Sequence, residues 1–160
     1  MLALGIYLLM LVTPLIDPRR RNYARFAGAY RLLRWSFVLF MAGVYSVWMA
    51  AALGYPVDIG LAVKMGISLL FLAIGNVMGQ VRHNYFVGIK TPWTLASEEV
   101  WQRTHRLAAK VWVLGSLACL PLAFCQGLWA EVTFFSIIVL MVLVPAVFSF
   151  LCYRSLEAGK

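Results

Sequence analysis

Carboxylates are scarce in this chain: 6 Asp and Glu stand against 14 Lys and Arg in 160 residues, for a formal net charge of +8. Charged residues of both signs reach only 12%, about half the ~25% of a soluble domain. Cysteine is nearly missing. Cys119, Cys125 and Cys152 lie within or at the ends of apolar runs, and no CxxC occurs. Odd in number and unclustered, they read as small packing residues. No Gly-x-Ser-x-Gly, Walker loop, Cys nucleophile dyad or dinucleotide fingerprint is present. No catalytic residue is assigned, and the chain is read as a non-enzyme. The opening Met1-Leu-Ala-Leu-Gly has no basic residue ahead of its apolar run, which argues against an ordinary signal peptide.

What is present is oil. Hydrophobic residues make up 63% of the chain, against ~45–50% in soluble domains. The excess points to an integral membrane protein. Five apolar runs stand out, at 1–16, 35–53, 61–81, 111–129 and 132–153. A period-2 pattern is missing, so they read as helices rather than barrel strands. The expected fold is all-α: one polytopic transmembrane helix bundle over 1–160, with about five membrane-spanning helices. Sixteen residues of helix reach only ~24 Å against a ~30 Å hydrocarbon core. The first run is therefore thinly matched, or more sequence lies upstream of it. Pro121 and Pro145 sit inside spans, where membrane helices tolerate a kink.

The basic residues alternate by loop. Six Lys and Arg lie in 17–34, five in 82–110, and Arg154 and Lys160 at the C-terminus. The turns 54–60 and 130–131 hold none. The positive-inside rule then puts the N-terminus outside, with both long loops and the C-terminus in the cytoplasm of a bacterial cell. Basic clusters beside spans are topology signals before they are nucleic-acid patches, so no direct nucleic-acid binding is expected. Lys64, near the outer end of the third run, can snorkel outward. Trp35, Trp48 and Trp129 fit an interfacial belt.

In the first loop, Arg21 and Arg25 share one face, while Tyr23, Phe26, Ala27, Tyr30 and Leu33 follow helical spacing on another. This reads as a cytoplasmic amphipathic segment beginning near Asp17-Pro18. Arg19, Arg20, Arg21 and Arg25 would rest on the anionic membrane surface.

The second loop is a polar island, Asn84 to Arg106. Just before it, Asn76 and Gln80 lie four apart on one helical face, and Gly75 and Gly79 on a neighbouring one. Small residues at that spacing let helices approach closely, within a chain or between two copies of a homo-oligomer. Asn76, Gln80 and His83 could instead line a polar cavity. Gly88 permits a turn, Thr91-Pro92 forces an extended connection, and Ser97 before Glu98 and Glu99 marks a helix start. From Glu98 one helix can run straight into the fourth span, with Arg103 pairing back to Glu99. His83, His105, Glu98 and Glu99 are the candidate metal ligands, but their spacing matches no zinc pattern, and no metal or cofactor is expected.

At these residues the sequence resembles the SdpI family of bacterial membrane proteins. The resemblance rests on Asn84-Tyr-Phe-Val-Gly-Ile-Lys-Thr-Pro-Trp-Thr-Leu, Glu98-Glu99-Val-Trp101, Thr104-His105-Arg106, Lys110 and Trp112. The first loop, Ile16-Asp-Pro-Arg-Arg-Arg-Asn-Tyr23 through Phe26 and Tyr30-Arg31, is similar to that of longer members. The resemblance implies a multi-span protein of the cytoplasmic (inner) membrane. It implies immunity to a secreted toxic peptide, coupled to recruitment of a cytoplasmic repressor to the membrane. Longer members carry one more spanning helix ahead of the stretch present here. On this reading Asn84, Thr91, Trp93, Glu98, Trp101, Arg103, His105 and Arg106 form a docking face, since Trp and Arg concentrate binding energy. A small transporter or lipid-interacting protein is the alternative, with Asn76, Gln80, His83 and Lys64 lining its route. An intramembrane metalloenzyme using His105 with Glu98 or Glu99 stands third.

Overall fold

Three short-range caps set the frame. The Asp58 carboxylate accepts from the Leu61 amide, Thr91 and Thr94 form a reciprocal capping box, and the Ser97 hydroxyl accepts from the Val100 amide. Each fills one of the amide positions that a helix start leaves without an intrahelical partner. In a computed structural model describing residues 2–158, these caps open α3 (Ile59–Met78), α4 (Pro92–Ala96) and α5 (Glu98–Leu122). The remaining elements are α1 (Leu2–Ile16), a 3-10 helix (Arg20–Phe26), α2 (Ala27–Ala52) and α6 (Leu128–Ala158). No strand occurs among the described residues.

The long helices pack as neighbours in the order α1, α2, α3, α5, α6, and the short α4 rests on α5 and α6. Gly75 lets α3 lie close against α5. A Cβ on Gly75 would stand 3.0 Å from both the Trp112 Cβ and the Val113 amide nitrogen of α5. The small-residue spacing thus serves packing inside one chain.

Arg20–Ala52, Ile59–Met78 and Leu128–Ala158 are each long and apolar enough to cross a membrane, and Ala3–Ile16 is an apolar but shorter helix. Leucines on the outer faces are bare: Leu39 and Leu114 are each 67% exposed, and Leu128 80%. Apolar surface so continuous demands an apolar surround. The protein is a helical membrane bundle.

Element boundaries shift from the sequence reading at two places. The second long helix begins at Ala27, eight residues before the apolar run at Trp35. Tyr23, Phe26, Ala29, Tyr30 and Leu33 are buried, while Arg20, Arg21, Arg25 and Arg31 face out. The amphipathic segment is therefore a 3-10 turn feeding directly into α2. The fourth run starts within α5, a single helix of 25 residues whose first four turns carry Glu98, Glu99, Arg103, Arg106 and Lys110.

Candidate functional site

The polar island is folded inward. Asn84 is fully buried and works as a backbone substitute. Its Oδ1 accepts from the amides of Phe86 (2.9 Å) and Val87 (2.6 Å), and its Nδ2 donates to the carbonyls of Arg82 (2.8 Å) and Val87 (2.9 Å). Asn and Asp side chains suit such turns because they mimic a backbone group two residues on. A loop folded against helices and shielded from water leaves its amides with nothing to bond unless side chains supply acceptors.

Asp17, only 2% exposed, does the same from the other loop. Its carboxylate accepts from the Arg19 amide (2.7 Å), the Tyr23 hydroxyl (3.0 Å) and the Tyr85 amide (3.0 Å). Tyr23 also reaches Asn84 Oδ1 at 3.4 Å, and Asn22 Nδ2 donates to the His83 carbonyl at 2.7 Å. The two polar loops are thereby one hydrogen-bonded unit.

The third hub is His105, in the polar first part of α5, ahead of the apolar stretch from Val111. Its Nδ1 donates to the Trp101 carbonyl (2.8 Å), and its Nε2 accepts from the Ile89 amide (3.0 Å). Those partners fix the neutral tautomer with the proton on Nδ1. Its ring stacks on Trp101 with centroids 4.1 Å apart, and His83 lies 5.0 Å from the same indole. The indole Nε1 donates to the Val81 carbonyl at 2.9 Å. Burial chiefly, with the nearby His83 adding, lowers the His105 pKa to about 4. Protonating Nε2 would also forfeit the Ile89 bond. Burial, and then Arg19, lower the His83 pKa as well. Gly88 makes this packing possible: its φ is +123°, and a Cβ there would collide with His105 Nε2.

The insert is also tied to α6. Thr91 Oγ1 meets Ser149 Oγ at 2.9 Å, Thr94 Oγ1 donates to the Ile89 carbonyl at 2.8 Å, and the Trp93 ring lies 5.0 Å from that of Phe150.

The residues named from the sequence therefore separate into two groups. Asn84, Trp101 and His105 are buried and committed to internal bonds; Thr91 is half-buried and bonded to Thr94 and Ser149. Glu98, Arg103 and Arg106 are exposed, Trp93 is half-buried, and Arg103 pairs with Glu99. Of the cavity candidates, Asn76 and Gln80 are exposed, while His83 is buried against Trp101. Arg20, Arg21 and Arg25 are exposed and Arg19 half-buried. Lys64 has an inward partner: its ammonium meets Glu131 Oε1 of α6 at 2.7 Å.

Four bonding positions are not singled out by the sequence. Asp17-Pro18 reads as a helix start, although a lone acid ahead of six arginines is a signal for a buried acceptor. Thr94, Ser149 and Glu131 sit in apolar or turn contexts with no local pattern to single them out.

Comparison with known proteins bears on the same segment. The model of the SdpI/YfhL protein family matches residues 80–153, the stretch that starts with the insert and ends in α6. The chain is 29% identical over 109 residues to the Immunity protein SdpI of Bacillus subtilis (strain 168), an alignment covering 68% of this chain and 53% of that protein. It thus spans about half the length of the curated relative it matches. No solved structure matches.

Proposed function

We propose that this chain, whose residues 80–153 are an SdpI/YfhL-family segment, acts in the bacterial inner membrane as an SdpI-like immunity protein against a toxic peptide. The observation that carries the reading is an overlap. The region matched by the family contains Asn84, Trp101 and His105, each buried and bonded to the backbone of the insert or of the residues leading into it. A shared sequence pattern so devoted to holding a scaffold leaves the exposed residues on that scaffold to do the recognising.

On this reading five helices cross the bilayer: α1, α2, α3, the second part of α5, and α6. The N-terminus lies outside. The insert, the first loop and the C-terminus lie on the cytoplasmic side, as the Lys and Arg distribution favours. Trp93, Glu98, Arg103 and Arg106 then present a rigid face to a cytoplasmic regulator, and the buried members act as positioning residues. The apolar bundle meets the toxic peptide within the bilayer. The protein is read as a non-enzyme.

The test is complementation. The chain would be expressed in Bacillus subtilis lacking its Immunity protein SdpI, and survival of the producing culture measured. Restored survival, lost on His105→Ala and on Asn84→Ala, is the expected result. Survival no better than an empty vector, with the protein present in the membrane, would overturn the reading.

A further inference from the structure

The turn between α1 and α2 holds a basic recess of about 450 Å³, lined by Pro18, Arg19, Arg20, Arg21 and Asn22. Its construction is rigid. The Arg20 amide donates to the Asp17 carbonyl (3.0 Å), the Asn22 amide to the Arg19 carbonyl (2.9 Å), and the Asn22 side chain to the His83 carbonyl (2.7 Å). Asp17, the one nearby acid in sequence, is turned away and spent on the Arg19 amide, Tyr23 and Tyr85. Among the described residues the ion pairs are Lys64–Glu131 and Arg103–Glu99, so none of these three arginines has a carboxylate partner. The Arg19 guanidinium lies 4.6 Å over the Tyr85 ring, and its Nη1 is buried with no hydrogen-bond partner.

A buried guanidinium nitrogen without an acceptor is costly. Three arginines held around one recess, with no internal anion, call for an external one. A tetrahedral phosphate oxyanion matches the fork of a guanidinium better than a point acceptor does. The recess also follows directly on the end of α1, where Leu15 is 73% and Ile16 56% exposed. Acyl chains along that apolar face would deliver a headgroup to this level.

We propose that Pro18–Asn22 forms a binding site for the phosphate of an anionic membrane lipid, with Arg19 as its fixed anchor and Arg20 and Arg21 as its adjustable arms. The site is independent of the immunity reading. It requires only that the helices lie in a bilayer. Beyond general attraction to a charged surface, it predicts a lipid that stays bound in detergent.

The test uses the full chain in detergent, with phosphatidylglycerol titrated in and bound lipid counted by native mass spectrometry. Arg19→Gln is expected to weaken retention about fivefold, and Arg19→Gln with Arg20→Gln and Arg21→Gln about a hundredfold, from roughly one kcal/mol per cation near a lipid surface. Arg103→Gln, an exposed arginine on α5, should leave retention unchanged. Arg19→Lys, which keeps charge without the fork, should fall between wild type and Arg19→Gln. Circular dichroism identifies any variant that has unfolded, and Arg19→Lys serves if the triple variant does. A parallel arm adds inorganic phosphate. Failure of phosphate to displace the lipid supports a headgroup held together with its chains. Displacement by phosphate alone would reassign the recess to a soluble phosphate compound and overturn the lipid. Equal retention by wild type, Arg19→Gln and Arg103→Gln would overturn the site.

Discussion

The two ends of this bundle solve the same problem with very different means. At one end, the turns 53–58 and 123–127 need little: the Asp58 cap, the Lys64–Glu131 pair at 2.7 Å, and glycines of positive φ at 54 and 127. At the other, Asp17, Trp101 and His105 bond to amides and carbonyls far along the chain, Asn84 bonds the turn that follows it, and each is buried. The difference follows from burial. A short exposed turn can turn its polar groups to water, whereas a nineteen-residue connection folded against the helices (79–97) must satisfy its backbone from side chains, its own and those of Asp17 and α5. Polar residues in such a membrane protein are thus first a structural resource, and only what remains exposed is free for recognition.

The sharpest way to break the comparison is through matched glycines. Gly88 and Gly54 both have positive φ, but only at Gly88 would a Cβ also strike a neighbour, His105. Gly88→Ala should cost at least about 3 kcal/mol in denaturant titration of the purified protein, since strain and collision add. Asn84→Ala removes the acceptor for two amides and the donor to two carbonyls, and about 3 kcal/mol is expected from the groups left unpaired.

The pH dependence should also single out the insert end. The folded pKa of His105 is depressed to about 4, from an ordinary value of 6.5. Its contribution is therefore complete above pH 6.5 and lost as pH falls from there toward 4. The depressed pKa of His83 acts in the same direction. Stability in detergent should drop by on the order of 2 kcal/mol by pH 4.5. His105→Gln should be less stable at neutral pH and show a shallower slope across that window. Equal slopes would remove His105 as the source.

The plainer end should respond weakly. Glu131→Gln leaves Lys64 near a neutral partner, but the Glu131 side chain is 42% exposed, so a loss of about 1 kcal/mol is expected. Gly54→Ala meets no atom within 4 Å and pays only for its φ of +85°, again about 1 kcal/mol.

The helices were legible because apolar run length and cap chemistry are local. Ser97 with Glu98 and Glu99 announced a helix that does run unbroken into the apolar stretch. The start of α2 was less clear. Tyr23, Phe26 and Tyr30 are buried by partners from distant segments, including the Met10 carbonyl that accepts from the Tyr30 hydroxyl. Lys64 read as a snorkelling cation, since Glu131 lies 67 positions away and nothing local names it. In the polar island the sequence marked which residues matter but not how. Trp101 and His105 stood out as rare residue types. That they face Val81 and Ile89, and so hold the loop in place, depends on α5 packing against α3.

Hydrogen–deuterium exchange tests the central claim most directly. The amides of Tyr85, Phe86, Val87 and Ile89 are bonded to Asp17, Asn84 and His105 in a segment without regular helix. They should exchange as slowly as neighbouring helical amides, and far more slowly than the amide of exposed Asp58 in the turn before α3. Exchange at these four amides as fast as in that turn would contradict a polar insert built into the core of the bundle.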